Sequence, residues 1–171
     1  MKQLIALCIL QLSFSILSAQ KLPCSQPAFR QFDFWIGEWD VFDKKGNKAG
    51  DSKITLMLDS CVILEEWIST APQQGLRFAG KSFNSYNVAT KQWQQTWTDN
   101  TGNTTEYLRG EGSSEKMVFY ADKVSAGNGK QFMRRLSFFK LSADKVRQYG
   151  ERSDDAGATW TVEYDLEYRR R

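Results

Sequence analysis

From Gln31 onward, apolar and polar residues alternate in short runs broken by turn residues, and no stretch sustains a helical period. The last run is the clearest. Trp160, Val162, Tyr164, Leu166 and Tyr168 alternate with Thr161, Glu163, Asp165, Glu167 and Arg169. That is period two, which on a strand sends one set to a dry face and the other to water. Trp93, Gln95 and Trp97 alternate with Gln94, Thr96 and Thr98 in the same way. Turn signals fall at Lys45-Gly46-Asn47, Gln73-Gln74-Gly75, Thr101-Gly102-Asn103, Gly127-Asn128-Gly129 and Asp155-Ala156-Gly157. The intervals between them predict about ten strands, at 38–43, 52–59, 61–70, 77–87, 92–99, 104–111, 115–122, 131–141, 145–153 and 159–169. Short connections between so many strands favour an antiparallel meander, and closing it removes the exposed edges. The expected fold is all-β, a single antiparallel up-and-down β-barrel, with a two-sheet sandwich as the alternative. With no internal repeat, linker or low-complexity segment, one domain is expected.

The first twenty residues read differently. Lys2 gives a short positive segment, Leu4 to Leu17 is apolar, and Ser18-Ala19-Gln20 supplies small residues for cleavage. The expectation is a signal peptide over 1–20, cleaved near Ala19 or Gln20, and a mature domain over 21–171 that is periplasmic or secreted. No second apolar run follows, so no stable membrane insertion is expected. Of three cysteines, Cys8 leaves with the leader. Cys24 and Cys61 then read as a disulfide in an oxidising compartment, contributing on the order of 3–4 kcal/mol in the chain-entropy model.

The chain contains no histidine. That excludes Ser-His-Asp and Cys-His nucleophile systems and proximal-histidine haem, and with so few cysteines it leaves no metal site to expect. No cofactor is expected. The formal charge of +3 falls to +2 when Lys2 leaves, and apart from the short Arg169-Arg170-Arg171 tail the basic residues are dispersed. Nothing there asks for nucleic acid. The aromatic content permits a dimer without requiring one.

The stretch "FDFWIGEWDV", Phe32 to Val41, places Trp35 and Trp39 close together at the head of the strand series. Its Gly37-Glu38-Trp39 resembles the N-terminal G-x-W signature of lipocalin-type barrels. There the tryptophan closes one barrel end, often against an arginine of the last strand, a role that Arg169 or Arg170 can fill by cation–π contact. "DSCVILEEW", "GKSFNSYNVATKQWQQTWTDNTG", "VRQYGERSDDAGATW" and "YRRR" follow in order. Together these resemble a family of exported bacterial proteins with a lipocalin-like, calycin-type barrel and no assigned reaction. The resemblance runs from Phe32 to Arg171. It implies a fold and an envelope address, with Trp35, Gly37 and Trp39 as architecture.

Ser153 to Trp160 matches the S-x-D-x-G-x-T-W Asp box, which recurs in sialidase propellers. A propeller needs several blades and this chain carries one box, so sialidase chemistry is set aside. Asp155, Gly157 and Trp160 read as hairpin residues: the aspartate accepts backbone N–H bonds, the glycine takes positive φ and the tryptophan tucks beneath.

A barrel of this size is wide enough to keep a ligand cavity. Three alternating faces are unexpectedly polar or aromatic: Glu65 and Trp67; Ser82, Asn84 and Tyr86; Trp93, Gln95, Trp97 and Asp99. If these point inward, they line a cavity that Arg135, Gln148 and Glu151 complete, suited to a small polar, aromatic or amphipathic molecule. If they point outward, the polar members face water, and a single β-bulge decides which. Three function classes follow: a small-molecule binder, a side-chain-filled barrel serving interaction or structure, and an enzyme using Glu65, Glu151 or Asp99 as acid or base.

Overall fold

The computed structural model describes residues 23–72, 75–125 and 129–171. The expected leader lies outside them, as do Gln73-Gln74 and Gly127-Asn128 of two expected turns. Two short 3₁₀ segments, Pro27–Arg30 and Asp33–Trp35, precede ten strands. The strands are β1 (Gly37–Asp43), β2 (Lys48–Met57), β3 (Val62–Ser69), β4 (Ala79–Asn87) and β5 (Gln92–Asp99). They continue as β6 (Thr104–Gly112), β7 (Lys116–Ser125), β8 (Gln131–Ser142), β9 (Lys145–Ser153) and β10 (Thr161–Arg170). Each pairs antiparallel with its sequence neighbour, and β1 closes against β10. The fold is therefore the all-β, closed up-and-down barrel expected, and the sandwich is excluded. No helix among the described residues is long and apolar enough to cross a membrane.

The turns are built by local chemistry. Asp43 Oδ1 accepts from the N–H groups of Lys45 and Asn47, and Gly46 takes φ +84°. The same five-residue design recurs where Asp99 Oδ1 accepts from Thr101 N at 2.9 Å. Between β9 and β10, Asp155 takes bonds from Thr159 N (2.8 Å), Thr159 Oγ1 (2.6 Å) and Ser153 Oγ (2.7 Å). Trp160 Nε1 donates to Gly157 O. These bonds hold the Asp155 carboxyl down at about 2. The Asp box is a hairpin cap, as expected from its residues.

One end of the barrel is shut by the N-terminal segment. Phe32, Trp35, Trp39, Phe119 and Phe138 are each 0% exposed there. Phe32 sits at the centre, 4.9 Å from the rings of both Trp35 and Phe138 and 5.9 Å from Trp93. Trp39 Nε1 donates to Trp35 O at 2.9 Å, and the Arg170 guanidinium lies 4.2 Å over the Trp39 ring. Arg170 also donates to Ile36 O (3.0 Å). Gly37 has φ +144°, and a Cβ there would collide with Arg170 Nη1. Arg170 thus fills the expected cation–π role, while Arg169 lies over Phe42. A Cys24–Cys61 disulfide ties this plug to the β2–β3 turn.

Candidate functional site

Inward faces follow from which residues are buried at each register position. Trp39, Val41, Ser52, Ile54, Ile63, Glu65, Ser82, Asn84, Trp93, Gln95, Tyr107, Phe119, Phe138, Val146, Gln148 and Tyr168 are buried, and they alternate with wetter neighbours. The expected faces on β3, β4 and β5 therefore point inward. They divide between three levels rather than lining one cavity.

The lowest level is the plug. Trp93 is 2% exposed and its Nε1 donates to Ala28 O (3.2 Å) and Gln31 Oε1 (3.1 Å). Tyr86 packs against Phe29 (5.2 Å) and Trp93 (6.2 Å). Both are structural members of the closed end.

The middle level is a polar layer across the barrel. Ser52 Oγ and Ser82 Oγ donate to the two Glu65 carboxyl oxygens, each at 3.0 Å. Asn84 Nδ2 donates to Ser82 Oγ (3.0 Å), and Gln95 Nε2 donates to Asn84 Oδ1 (2.7 Å). Tyr168 Oη lies 3.2 Å from Glu65 Oε1 and 2.9 Å from Gln148 Oε1. One phenolic proton cannot serve both acceptors. A protonated Glu65 resolves this by donating to Tyr168 Oη while the phenol donates to Gln148. Burial pushes the Glu65 carboxyl up to about 7, against the downward pull of the Ser82, Ser52 and Tyr168 hydrogen bonds. Tyr168 is held well above its ordinary range, first by burial and then by the Glu65 charge.

The upper level is a cup open to solvent. Trp67 and Trp97 are half-buried and Tyr164 is 37% exposed, although all three sit at inward register positions. Each ring lies against an inward glycine on the neighbouring strand: Trp67 on Gly50, Trp97 on Gly80 and Tyr164 on Gly150, where any Cβ would collide with it. Trp97 also has the Phe78 ring at 6.3 Å, and the Tyr164 phenol reaches inward, where burial holds it well above its ordinary range. Asp99 Oδ2 accepts from Trp97 Nε1 at 3.3 Å. Opposite, Arg134 grips Glu163 through two bonds, 2.9 and 3.1 Å, and donates to Thr105 Oγ1 at 3.3 Å. Tyr107 stands beneath this group, its phenol pushed by burial up to about 12.

Two expected lining residues are elsewhere. Arg135 and Glu151 form a bidentate pair, 2.7 and 2.8 Å, on the outer wall, with the guanidinium 4.4 Å over Trp160. Their strands put Arg134 and Gly150 inside, so the next residues face out. The expectation that Arg135 and Glu151 complete an interior site is corrected. The last run is corrected too. A bulge between Val162 and Tyr164 breaks its alternation, leaving Val162 43% exposed and turning Glu163 toward Arg134. The sequence reading missed Ser52, Thr105, Tyr107, Arg134, Glu163 and Tyr168. Ser52 and Tyr168 carry a retrievable signal, since each lies on an alternating face beside strong apolar residues. Arg134 also shares an alternating face with Phe132, Leu136 and Phe138, whereas Glu163 carries no signal because the β10 bulge decides where it points.

No protein-family model matches the chain, and no curated protein matches it. Among the described residues no group of three or more acidic, cysteine or histidine side chains is placed to hold a metal.

Proposed function

We propose that this protein is an exported, lipocalin-like binding barrel that holds a small aromatic or amphipathic molecule in its upper cup. The observation that carries the reading is the set of three inward aromatic rings, Trp67, Trp97 and Tyr164, left part-exposed above a closed interior. Flat rings against glycine offer stacking surfaces, and the Arg134–Glu163 pair and Tyr107 supply polar contacts on the facing wall. The Cys24–Cys61 disulfide supports an oxidising compartment, and the family resemblance from Phe32 to Arg171 supports an envelope address.

The polar layer favours a second reading, the side-chain-filled barrel. Glu65, Ser82, Asn84, Gln95, Gln148 and Tyr168 satisfy one another across the barrel. The two readings separate in native mass spectrometry of protein exported by a bacterial host, before and after denaturing extraction. A binder carries a reproducible extra mass that extraction releases and that Trp67→Ala and Trp97→Ala lose. Bare protein in every preparation, with no mass gained from extracts of its source, moves the reading to the filled barrel.

A further inference from the structure

The barrel wall is not equally closed on all sides. β6 and β7 pair only from Arg109↔Tyr120 to Gly112↔Met117, so Thr104–Leu108 and Ala121–Ser125 face each other unpaired. A cleft of about 550 Å³ fills the gap. Its lining includes Glu106, Leu108, Tyr120 and Asp122 from the outer surface and reaches Thr105 and Val124 at inward positions. β10 likewise outruns β1 at the mouth, leaving a smaller cleft of about 320 Å³ beside Tyr164 and Leu166. That second seam is bridged by Lys44 Nζ, 2.8 Å from Asp165, which also takes Arg147 Nη2 of β9 at 2.6 Å. Among the described residues the β6–β7 seam is bridged by the inner bond from Arg134 to Thr105 and by the Arg109–Asp122 ion pair at the lip, close to where pairing resumes.

We infer that the β6–β7 slit is a lateral binding groove, continuous with the cup, that takes the linear apolar part of an amphipathic ligand; this rests on the cup reading above. Thr105 belongs to both, touching Arg134 on one side and lining the cleft on the other. Leu108, the Tyr120 ring and Val124 provide apolar contact along the groove, and the charges of Glu106, Asp122 and Lys123 stand at its rim. An extended peptide is a poor fit. An added strand would have to run between two contacts that cross the gap, Arg134–Thr105 on the inner side and Arg109–Asp122 at the lip. A single hydrocarbon chain is thinner and needs no backbone partners.

The test uses alkyl 4-hydroxybenzoates, from methyl to dodecyl, titrated against the full mature protein with tryptophan fluorescence. The affinity is expected to rise about four-fold per fully buried methylene until the chain outgrows the groove. Leu108→Glu, at an exposed position, is expected to flatten that rise while binding the methyl ester as wild type does. In wild type the dodecyl ester slows amide exchange at Thr104–Leu108 and Ala121–Ser125, a readout that does not depend on any variant. If the methyl ester binds and longer chains bind no tighter, the groove is overturned and the cup stands. If no ester binds, both fall.

Discussion

The two ends of this barrel solve opposite problems with the same residue types. At the closed end, tryptophan and phenylalanine rings pack on one another with no exposure, and Trp39 is pinned by Arg170 above and Trp35 O beside it. At the open end, Trp67, Trp97 and Tyr164 lie against backbone glycine and stay part-exposed. An aromatic ring surrounded by rings is a stability element, whereas a ring laid on a glycine wall is a surface waiting for contact. Residue identity alone does not distinguish them; the number of faces covered does.

That contrast is broken or sharpened by mutation. Trp39→Ala is expected to cost about 3–5 kcal/mol, since it empties a fully buried site and strips Arg170 of its partner. Urea unfolding measures it, and a loss under about 1 kcal/mol would erase the distinction between the ends. Removing the disulfide with Cys24→Ser and Cys61→Ser together should cost about 2–4 kcal/mol and loosen the plug first. Hydrogen exchange should then rise at Pro27–Trp35 before it rises at the mouth strands.

The polar layer between the ends gives a pH signature. Glu65 titrates at 4.5 when unfolded and at about 7 when folded. The folded state therefore binds more protons between those values, and stability falls as pH rises through that window. The loss is about 3 kcal/mol, fully present above pH 7 and absent below 4.5. In Glu65→Gln this component should vanish, because the amide keeps a donor for Tyr168 and an acceptor for Ser82 without a charge to bury. Unfolding curves at pH 5 and pH 8 for both proteins decide it; an unchanged slope in the variant would place the titration elsewhere. The smallest effects are expected at the mouth. Trp67→Ala and Trp97→Ala each remove a half-covered ring and should cost no more than about 1–2 kcal/mol while abolishing ligand retention.

Much of this architecture could be read from residue order. Period-two runs and glycine-containing turns marked ten strands, and nine of the ten expected spans differ from the observed ones by three residues or fewer at either end. β2 is the exception, starting at Lys48 because Gly50 and Ser52 continue the ladder that pairs with Ser69 and Trp67. The G-x-W signature pointed to the plug and to a C-terminal arginine, and the Asp box to a hairpin. The inward set on β3 to β5 was legible as a face, since alternation groups residues correctly within an unbroken strand. Arg135 and Glu151 were misplaced because alternation fixes a face but not which face is inside.

What the sequence determined by itself was local and periodic: strands, turns, the plug aromatics and the spacing of two cysteines, all set by neighbours a few residues apart. Tertiary structure alone decided the rest. Closure of β1 on β10 brought Tyr168 to Glu65 across 103 residues of chain, and the β10 bulge swung Glu163 to Arg134. The early parting of β6 and β7 opened the wall, because pairing length is negotiated between two strands and is written in neither.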